Sequence, residues 1–355
     1  MKNAILLILS CMLCSALGQV KPVVYKGATI HTATGEVIEN GYIEIQNGKI
    51  SAIAKNLNPE GKQVVDVSGK HIYPGLFSLY TSLGLSEIDL VRQSNDHTEV
   101  GEFNAHIRSL IAYNTDSDII PVIRSAGVLY AQVTPRGSVL PGSSSVVHLE
   151  GWSWEEALYK ADEGLHLNWP GYYPPGYFGD GARADFKANR EKSIAAIKKF
   201  FDDARIYNLT KNPAKRNIRL QATRGLFEGS QNLYIVANEA KEIVESVLWA
   251  KDAGIKKIVL VGAKECLPVV DFIKQHHIPV ILYRTHDLPS YADGDTEYAY
   301  KLPSILTKAG ITVAISYYGD MEVFHSRNIP FTAGTTAAYG LNKEEALQLI
   351  TLNAA

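Results

Sequence analysis

Two kinds of hydrophobic pattern follow one another along this chain. Up to about residue 66, short apolar segments alternate with polar turns, and the pairs Asn40-Gly41 and Asn47-Gly48 are typical of tight β-hairpin turns. This pattern predicts a small antiparallel sheet. Its predicted strands are Val23–Tyr25, Ala28–Ile30, Tyr42–Ile45, Lys49–Ile53 and Val64–Val67.

Beyond Pro74, apolar strands alternate with amphipathic helical segments, which predicts parallel βα units. Helices are predicted at Ala240–Ala253, Leu267–His276 and Tyr300–Ala309. A closed barrel of this kind needs eight strands, and one more than the sequence reveals is expected between Trp152 and Glu228. The visible strands are Leu76–Leu83, Val128–Thr134, Ser145–Leu149, Leu233–Ala237, Lys257–Val261, Pro279–Tyr283 and Thr312–Ser316.

The long segment between Trp152 and Glu228 interrupts the alternation. It begins with a predicted short helix, Trp152–Ala161, continues through the Pro-, Gly- and Tyr-rich run Trp169–Tyr177, and ends in an amphipathic helix predicted at Ala182–Tyr207. Two interpretations are open. The segment packs on the side of the barrel, or it forms a lid over the barrel mouth whose aromatic side chains line a binding site.

The first eighteen residues are typical of an export signal. A basic start precedes the apolar run Ala4–Leu13, which is too short to span a bilayer, and the small residues Ala16 and Gly18 fit a cleavage site. We expect cleavage after Gly18 and a periplasmic or secreted protein. Lipid attachment at Cys11 or Cys14 is the alternative.

Composition and motifs give no reason to expect nucleic-acid binding, disulfide bonds, a serine nucleophile or a phosphate-binding loop. A net charge of −2 over 355 residues gives no electrostatic reason to expect binding to nucleic acid. Without the signal only Cys266 remains, so the core, and not a disulfide, must hold the fold together. The chain has no Gly-x-Ser-x-Gly motif, and in the Gly137–Ser144 loop Ser143 stands where a phosphate-binding loop has lysine.

The step Tyr73-Pro74-Gly75 and the apolar strand after it resemble the start of the barrel in the amidohydrolase superfamily. The resemblance extends over about residues 23–355 and is greatest to imidazolonepropionase-like bacterial members. The segments that carry it are Ala126–Val128, Val133–Gly137, Ser143–Leu149, Glu344–Leu347 and Thr351–Asn353.

The resemblance implies an α/β fold in three segments. A signal peptide occupies 1–18, the N-terminal half of a flanking β-sandwich 19–73, and a (β/α)8 TIM-like barrel 74–355. In the family a Thr-x-Asn-Pro-Ala step leads to strands that complete the sandwich. Because Ala354 stands in the Pro position and the sequence stops at Ala355, we expect the C-terminus to be truncated.

The family's metal ligands are replaced in this sequence. In active relatives a divalent metal, usually zinc, is held by a His-x-His pair, two later histidines and an aspartate, and it activates water for attack on a C–N bond. The resemblance therefore implies zinc in active relatives but no metal or other cofactor here, and a degenerate hydrolase. The substituted positions are Tyr80, Ser82, Val236, Gly262 and Tyr317 or its neighbour Tyr318.

A relocated metal centre is an alternative, because several candidate ligands follow strand ends, where barrel enzymes carry their chemistry. These candidates are His148, His286, Asp287, Asp320 and His325. The chain has no His-Glu-x-x-His motif that would favour such a centre.

Basic and polar residues at the ends of predicted strands favour a binding site instead. We expect a pocket for a small, anionic ligand lined by Arg136, Asn238, Arg284, His286 and Arg327. Ordinary surface ion pairs are the alternative explanation for these arginines. Three functions remain open: metal-dependent hydrolysis of a C–N bond, ligand binding without turnover, and a supporting role in a homo- or hetero-oligomer with an active amidohydrolase.

Overall fold

The computed structural model describes residues 21–88, 90–172, 180–210, 213–289, 293–319 and 321–355. Its contacts divide the chain into two compact units between Pro74 and Gly75. The predicted signal and the candidate ligand Asp320 lie outside the described residues. Within those residues, no helix combines the length and the apolar character needed to cross a membrane.

The N-terminal unit is a mixed five-stranded sheet with the order β3-β2-β1-β4, and β5 also pairs with β1. Its hydrophobic core contains Ala28, Ile30 and Ile43. The purely antiparallel sheet predicted from the sequence is wrong, because β4 and β5 both pair parallel to β1. The strands are β1 Val23–His31, β2 Val37–Gln46, β3 Lys49–Ala54, β4 Gln63–Asp66 and β5 His71–Ile72.

The two predicted hairpin signals have different outcomes. Asn47-Gly48 forms the turn between β2 and β3, with positive φ at both residues. Asn40-Gly41 lies inside β2, so the turn predicted there is wrong. Asn40 has φ +52° and Gly41 faces Ala28 at a register shift, which means that the same conformational freedom serves a β-bulge.

The larger unit is built on an eight-stranded sheet with the order β13-β12-β11-β10-β9-β8-β7-β6. Buried hydrophobic side chains fill the space between the strands and the helices. A second set fills the inside of the barrel that the sheet forms. The strands are β6 Leu76–Thr81, β7 Val128–Val133, β8 Gly142–His148, β9 Leu158–Asn168, β10 Asn232–Ala237, β11 Ile258–Gly262, β12 Val280–Leu282 and β13 Val313–Ile315.

Strand β8 runs antiparallel to both of its neighbours, so the regular, all-parallel βα alternation that the sequence predicts is wrong at this point. The connection between β7 and β8 spans only residues 134–141. A parallel crossover needs a dozen or more residues, so a connection of this length favours a reversal of direction. The other pairs in the sheet are parallel.

The eighth strand is β9, and it lies within the segment where the sequence analysis places it. The helix predicted at Trp152–Ala161 is shorter than expected, because β9 begins directly after Ala157. The helix cap is present, since the Ser153 hydroxyl accepts a hydrogen bond from the Glu156 N–H at 3.4 Å.

Helices cover the outside of the sheet. They are α1 Ile119–Ser125, α2 Trp154–Ala157, α3 Asp180–Leu209, α4 Ile218–Gln221, α5 Arg224–Glu228, α6 Ala240–Asp252, α7 Val270–Gln275, α8 Tyr298–Lys308, α9 Glu322–His325, α10 Ile329–Ala338 and α11 Lys343–Gln348. Short 3-10 turns lie at Arg92–Ser94, Ser109–Ala112, Leu267–Val269 and Ser326–Asn328.

Helix α3 packs against the barrel along its central turns. Ile197, Phe201 and Ala204 are fully buried, and the Phe201 ring meets the Trp249 ring of α6 edge-on at 5.0 Å. This contact agrees with the interpretation that the long segment covers the barrel side. Residues 173–179 of the aromatic run, which the lid interpretation needs, lie outside the described residues.

The segment after α11 bridges the two end strands of the barrel sheet. The Phe77 N–H in β6 donates to the Ile350 carbonyl at 3.0 Å, and the Ile315 N–H in β13 donates to the Leu349 carbonyl at 3.1 Å. The sheet is thereby nearly closed, although β6 and β13 do not pair with each other directly.

Candidate functional site

The carboxyl ends of seven strands meet at one end of the barrel, because all except β8 run in the same direction. Tyr80 lies at this end of β6 and has φ +50°, which is unusual for a residue other than glycine. Its backbone is held on both sides: the N–H donates to Gln132 Oε1 at 3.1 Å, and the carbonyl accepts from Arg136 Nη2 at 2.7 Å.

A buried ion pair lies beside Tyr80. Arg136 Nη2 is 2.8 Å from Glu322 Oε2, and the two side chains are only 12% and 9% exposed. The other oxygen of Glu322 accepts from the Ser82 N–H at 2.6 Å and from the Ser82 hydroxyl at 2.8 Å. Burial opposes the positive charge, but the facing Glu322 carboxylate outweighs this effect, and the pKa of Arg136 is raised.

Tyrosine rings enclose the guanidinium of Arg136. Its central carbon lies 4.0 Å from the Tyr80 ring centre and 4.5 Å from the Tyr318 ring centre. Tyr318 in turn packs on Tyr283 at 4.6 Å. Burial raises the pKa of Tyr80 and that of Tyr283, so both phenols are neutral at physiological pH.

A second polar group lies deeper in the barrel, around His166 of β9. Its Nε2 is 2.8 Å from the Ser144 hydroxyl, and its ring stacks on Tyr234 at 4.7 Å. Tyr234 donates to a Glu163 oxygen at 2.7 Å. Burial, and secondarily the positive charge of Arg136, lower the pKa of His166 well below its usual value, so the imidazole is neutral.

Buried polar atoms without a hydrogen-bond partner gather at this end of the barrel. Thr285 and Arg284 follow β12, and a Cβ built on Gly319 would lie 2.7 Å from the guanidinium carbon of Arg284, so that side chain lies against the loop that carries Tyr318. Among the described residues, the unpartnered atoms in this region are Arg136 Nη1, His166 Nδ1, Asn238 Oδ1, Arg284 Nε and Thr285 Oγ1.

The structure brings three of the predicted binding residues into this region and leaves two outside it. Arg136 packs on Tyr318, Arg284 lies against Gly319, and Asn238 flanks Gly262 together with Tyr283. His286 is exposed, with Nε2 2.7 Å from the Thr335 hydroxyl, and Arg327 is exposed on a 3-10 turn. The missed residues are His166, Tyr283, Glu322 and Thr285, whereas Tyr318 is predicted only as a substituted metal position.

The predicted substituted positions also differ in their surroundings. Val236 packs with Tyr80 inside the barrel, and Tyr318 does so as well. Tyr317 instead belongs to the outer core, where its ring meets His325 at 5.9 Å. Gly262 has φ +90°, and a Cβ there would overlap Asn238 Oδ1 and lie 3.0 Å from Tyr283.

The residues at the barrel mouth do not fit a zinc ion. A cationic guanidinium lies 2.8 Å from the carboxylate that could serve as a ligand, and Asn238 and Tyr283 fill the space that a side chain at position 262 would need. Across the parts of the chain that the structure describes, no three His, Cys, Asp or Glu side chains are grouped to hold a metal. The separate candidates His148 and Asp287 bond to the Glu156 carbonyl and to Lys264.

The fold is shared with solved structures of low sequence identity. An amidohydrolase from Thermotoga maritima MSB8 is 19% identical, with a TM-score of 0.79 over 94% of this chain and 88% of that chain. The chain has the amidohydrolase fold. A prolidase solved with N-methylphosphonate-L-proline is 13% identical, with a TM-score of 0.54 over 94% of this chain and 86% of that chain.

A third structure with the amidohydrolase fold is an adenosine deaminase from Xanthomonas campestris with bound zinc. It is 11% identical, with a TM-score of 0.51 over 94% of this chain and 79% of that chain. No protein-family model matches the sequence, and no curated protein sequence is similar to it. The similarity therefore concerns the amidohydrolase fold, and the function must be argued from the site.

Proposed function

We propose that the protein binds a small molecule carrying a carboxylate or a similar planar anion at the barrel mouth, without zinc-dependent hydrolysis. The observation that carries this proposal is that three buried donors on segments that follow barrel strands have no partner in the described structure: Arg136 Nη1, Arg284 Nε and the Thr285 hydroxyl. A buried unpaired polar group costs about 1–3 kcal/mol, so a ligand that supplies acceptor atoms would recover that free energy.

An arginine without an ion pair also favours an anion at the mouth. Arg136 is neutralised by Glu322, and Lys264 by Asp287 at 2.7 Å. Arg284 has no ion-pair partner among the described residues. Arg284 is partly buried and shares its pocket with Glu265, to which it is not paired, and at such a position its attraction for an anion is stronger than in bulk water.

The geometry of Arg136 restricts how a ligand can approach it. Tyr80 and Tyr318 lie over the guanidinium, and Nη2 is already bonded to Glu322 and to the Tyr80 carbonyl. Of the two terminal nitrogens, Nη1 is the one without a partner, so a ligand oxygen would bind there in the guanidinium plane. Such in-plane bonding is what arginine forms with carboxylates.

Thermal unfolding in the presence of matched ligand pairs tests the proposal. Benzoate and N-acetylglycine should raise the melting temperature, whereas benzamide and N-acetylglycinamide should not. Arg284→Ala should weaken carboxylate binding by about 10- to 100-fold, because a charged hydrogen bond contributes about 1.5–3 kcal/mol. Arg205→Ala is the matched control, since Arg205 is an exposed arginine on α3. Stabilisation by carboxylates that survives Arg284→Ala would contradict the assignment.

Hydrolysis of a C–N bond is the second candidate, and the observation in its favour is a fold shared with solved hydrolases over 94% of this chain. It requires a metal that the residues at the mouth do not fit. Protein produced with added zinc should therefore contain no tightly held zinc at this site. About one equivalent of zinc that disappears in Glu322→Gln, together with turnover, would support hydrolysis over our proposal.

A further inference from the structure

Two histidines meet on the face of the N-terminal sheet opposite to the buried residue Ile30. In the parallel pairing of β1 with β5, Thr29 faces His71 and Ile30 faces Ile72. Because side chains alternate along a strand, His31, His71 and Tyr73 project from the face opposite to Ile30, which is buried. His31 is partly exposed, and His71 and Tyr73 are exposed, so this face is open to solvent.

The two imidazoles are held close together. Nε2 of His31 and Nδ1 of His71 are 2.9 Å apart, and the ring planes differ by 24°. The Tyr73 ring stacks on His31 at 4.2 Å with an angle of 8° between the planes. The stacking limits rotation of the His31 ring, so the pair is partly ordered before any ligand binds.

We propose that His31 and His71 form a binding site for one Cu(II) ion. Two nitrogens at about 2.0 Å from a metal and at right angles to each other are about 2.8 Å apart, whereas a tetrahedral angle separates them by about 3.3 Å. The spacing in this structure is close to the right-angled value. Square-planar coordination by imidazole nitrogens is typical of Cu(II), which also binds most strongly among the divalent first-row metals.

The pair of histidines can bind a metal without releasing a proton to solvent. A neutral imidazole carries its proton on one ring nitrogen, so the proton of the hydrogen-bonded pair can move to the outer nitrogen of its ring, and both inner nitrogens then present a lone pair to the metal. Among the described residues no third His, Cys, Asp or Glu completes the site. Water or a small ligand would fill the remaining positions, and the copper would exchange readily.

Copper titration of chelator-treated protein tests this site. We expect one equivalent to bind tightly, with electron paramagnetic resonance showing coupling to two nitrogens. His31→Ala and His71→Ala should each weaken binding by at least about 10-fold, since losing a ligand costs no less than losing a supporting contact, and each should leave coupling to one nitrogen. Tyr73→Phe keeps the stacked ring and should bind as the wild type does.

The control is the double variant His276→Ala/His277→Ala, which removes another adjacent histidine pair and should keep the tight equivalent. Loss of that equivalent in this control, or unchanged affinity in His31→Ala and His71→Ala, would overturn the proposal. All variants are at the surface, and circular dichroism checks that they fold. The site is independent of ligand binding at the barrel mouth, so Arg284→Ala should bind copper normally.

Discussion

At the scale of single residues, Gly262 shows how closely the barrel mouth is packed around a position without a side chain. Its φ of +90° disfavours any other residue, and Asn238 and Tyr283 occupy the space that a Cβ would enter. A histidine introduced at this position would need both neighbours to move. The position is therefore closed to a metal ligand for steric as well as chemical reasons.

Gly262→Ala should destabilise the protein more than Gly254→Ala does. Gly254 has φ +87°, but no atom lies within 4 Å of the point that a Cβ would occupy, so its substitution measures the backbone strain alone, about 1–2 kcal/mol. At Gly262 the overlap adds about 1–3 kcal/mol. Urea unfolding of the two variants measures the difference. Equal losses of unfolding free energy would mean that Asn238 and Tyr283 move aside at little cost.

The sequence locates some site residues and misses others for identifiable reasons. Arg136 and Arg284 could be predicted because they follow apolar strands, and strand ends mark the functional face of a barrel. Glu322 lies on a four-residue helix and meets Ser82, which is distant in sequence, so no local pattern indicates it. His166 could have been found from the alternation of Gly164–Asn168, once that segment was assigned to a strand.

At the scale of elements, the sequence predicts β11 and β12 but misses the first half of β9 and the direction of β8. The first pair are short apolar runs between helices, and periodicity finds them. The first half of β9 is largely exposed, mixes apolar with polar residues and comes directly after a capped helix, so it has no strand pattern. The direction of β8 depends on the length of its connection to β7, which the hydrophobic pattern does not encode.

Helix α3 supplies a stability prediction at this scale. Phe201→Ala should cost about 3–5 kcal/mol, because Phe201 is 1% exposed and packs on Trp249. Leu209→Ala, at a residue that is 78% exposed on the same helix, should change stability by less than about 0.5 kcal/mol. Denaturant unfolding measures both, and a small effect of Phe201→Ala would show that α3 detaches from the barrel at little cost.

At the scale of the whole molecule, stability should fall as the pH is lowered below about 6.5, and His166 is one cause. Its pKa in the folded protein lies well below that of the unfolded chain, so the unfolded state binds a proton that the folded state refuses. The contribution of His166 to the free energy of unfolding is fully present above the pKa of the unfolded chain. It is lost progressively as the pH falls towards the pKa of His166 in the folded protein. The loss due to this residue is up to about 1.4 kcal/mol per pH unit.

His166→Asn should therefore flatten the dependence of unfolding free energy on pH between about 6.5 and 5. Leu209→Ala serves as the control, because Leu209 is exposed and has no titratable side chain, and it should keep the wild-type slope. Urea denaturation at a series of pH values measures the slopes. Parallel curves for wild type and His166→Asn would rule out this residue as a source of the acid sensitivity.

Export after cleavage at Gly18, and association with an active amidohydrolase, stay predictions. The first depends on residues outside the described part of the chain. The second concerns a partner that the single chain does not reveal. An exported protein would meet copper and small carboxylates in the surrounding medium, which makes both proposed sites accessible to their ligands without transport across a membrane.

The segment after α11 that closes the barrel sheet should also determine how two of its strand amides exchange with solvent. Phe77 and Ile315 belong to strands at opposite ends of the sheet order, yet both amides donate to neighbouring carbonyls of one short segment, at Ile350 and Leu349. A local fluctuation that lifts this segment releases both bonds at once. The two amide protons should therefore exchange with solvent water as a single cooperative unit, at matching rates and with the same dependence on denaturant.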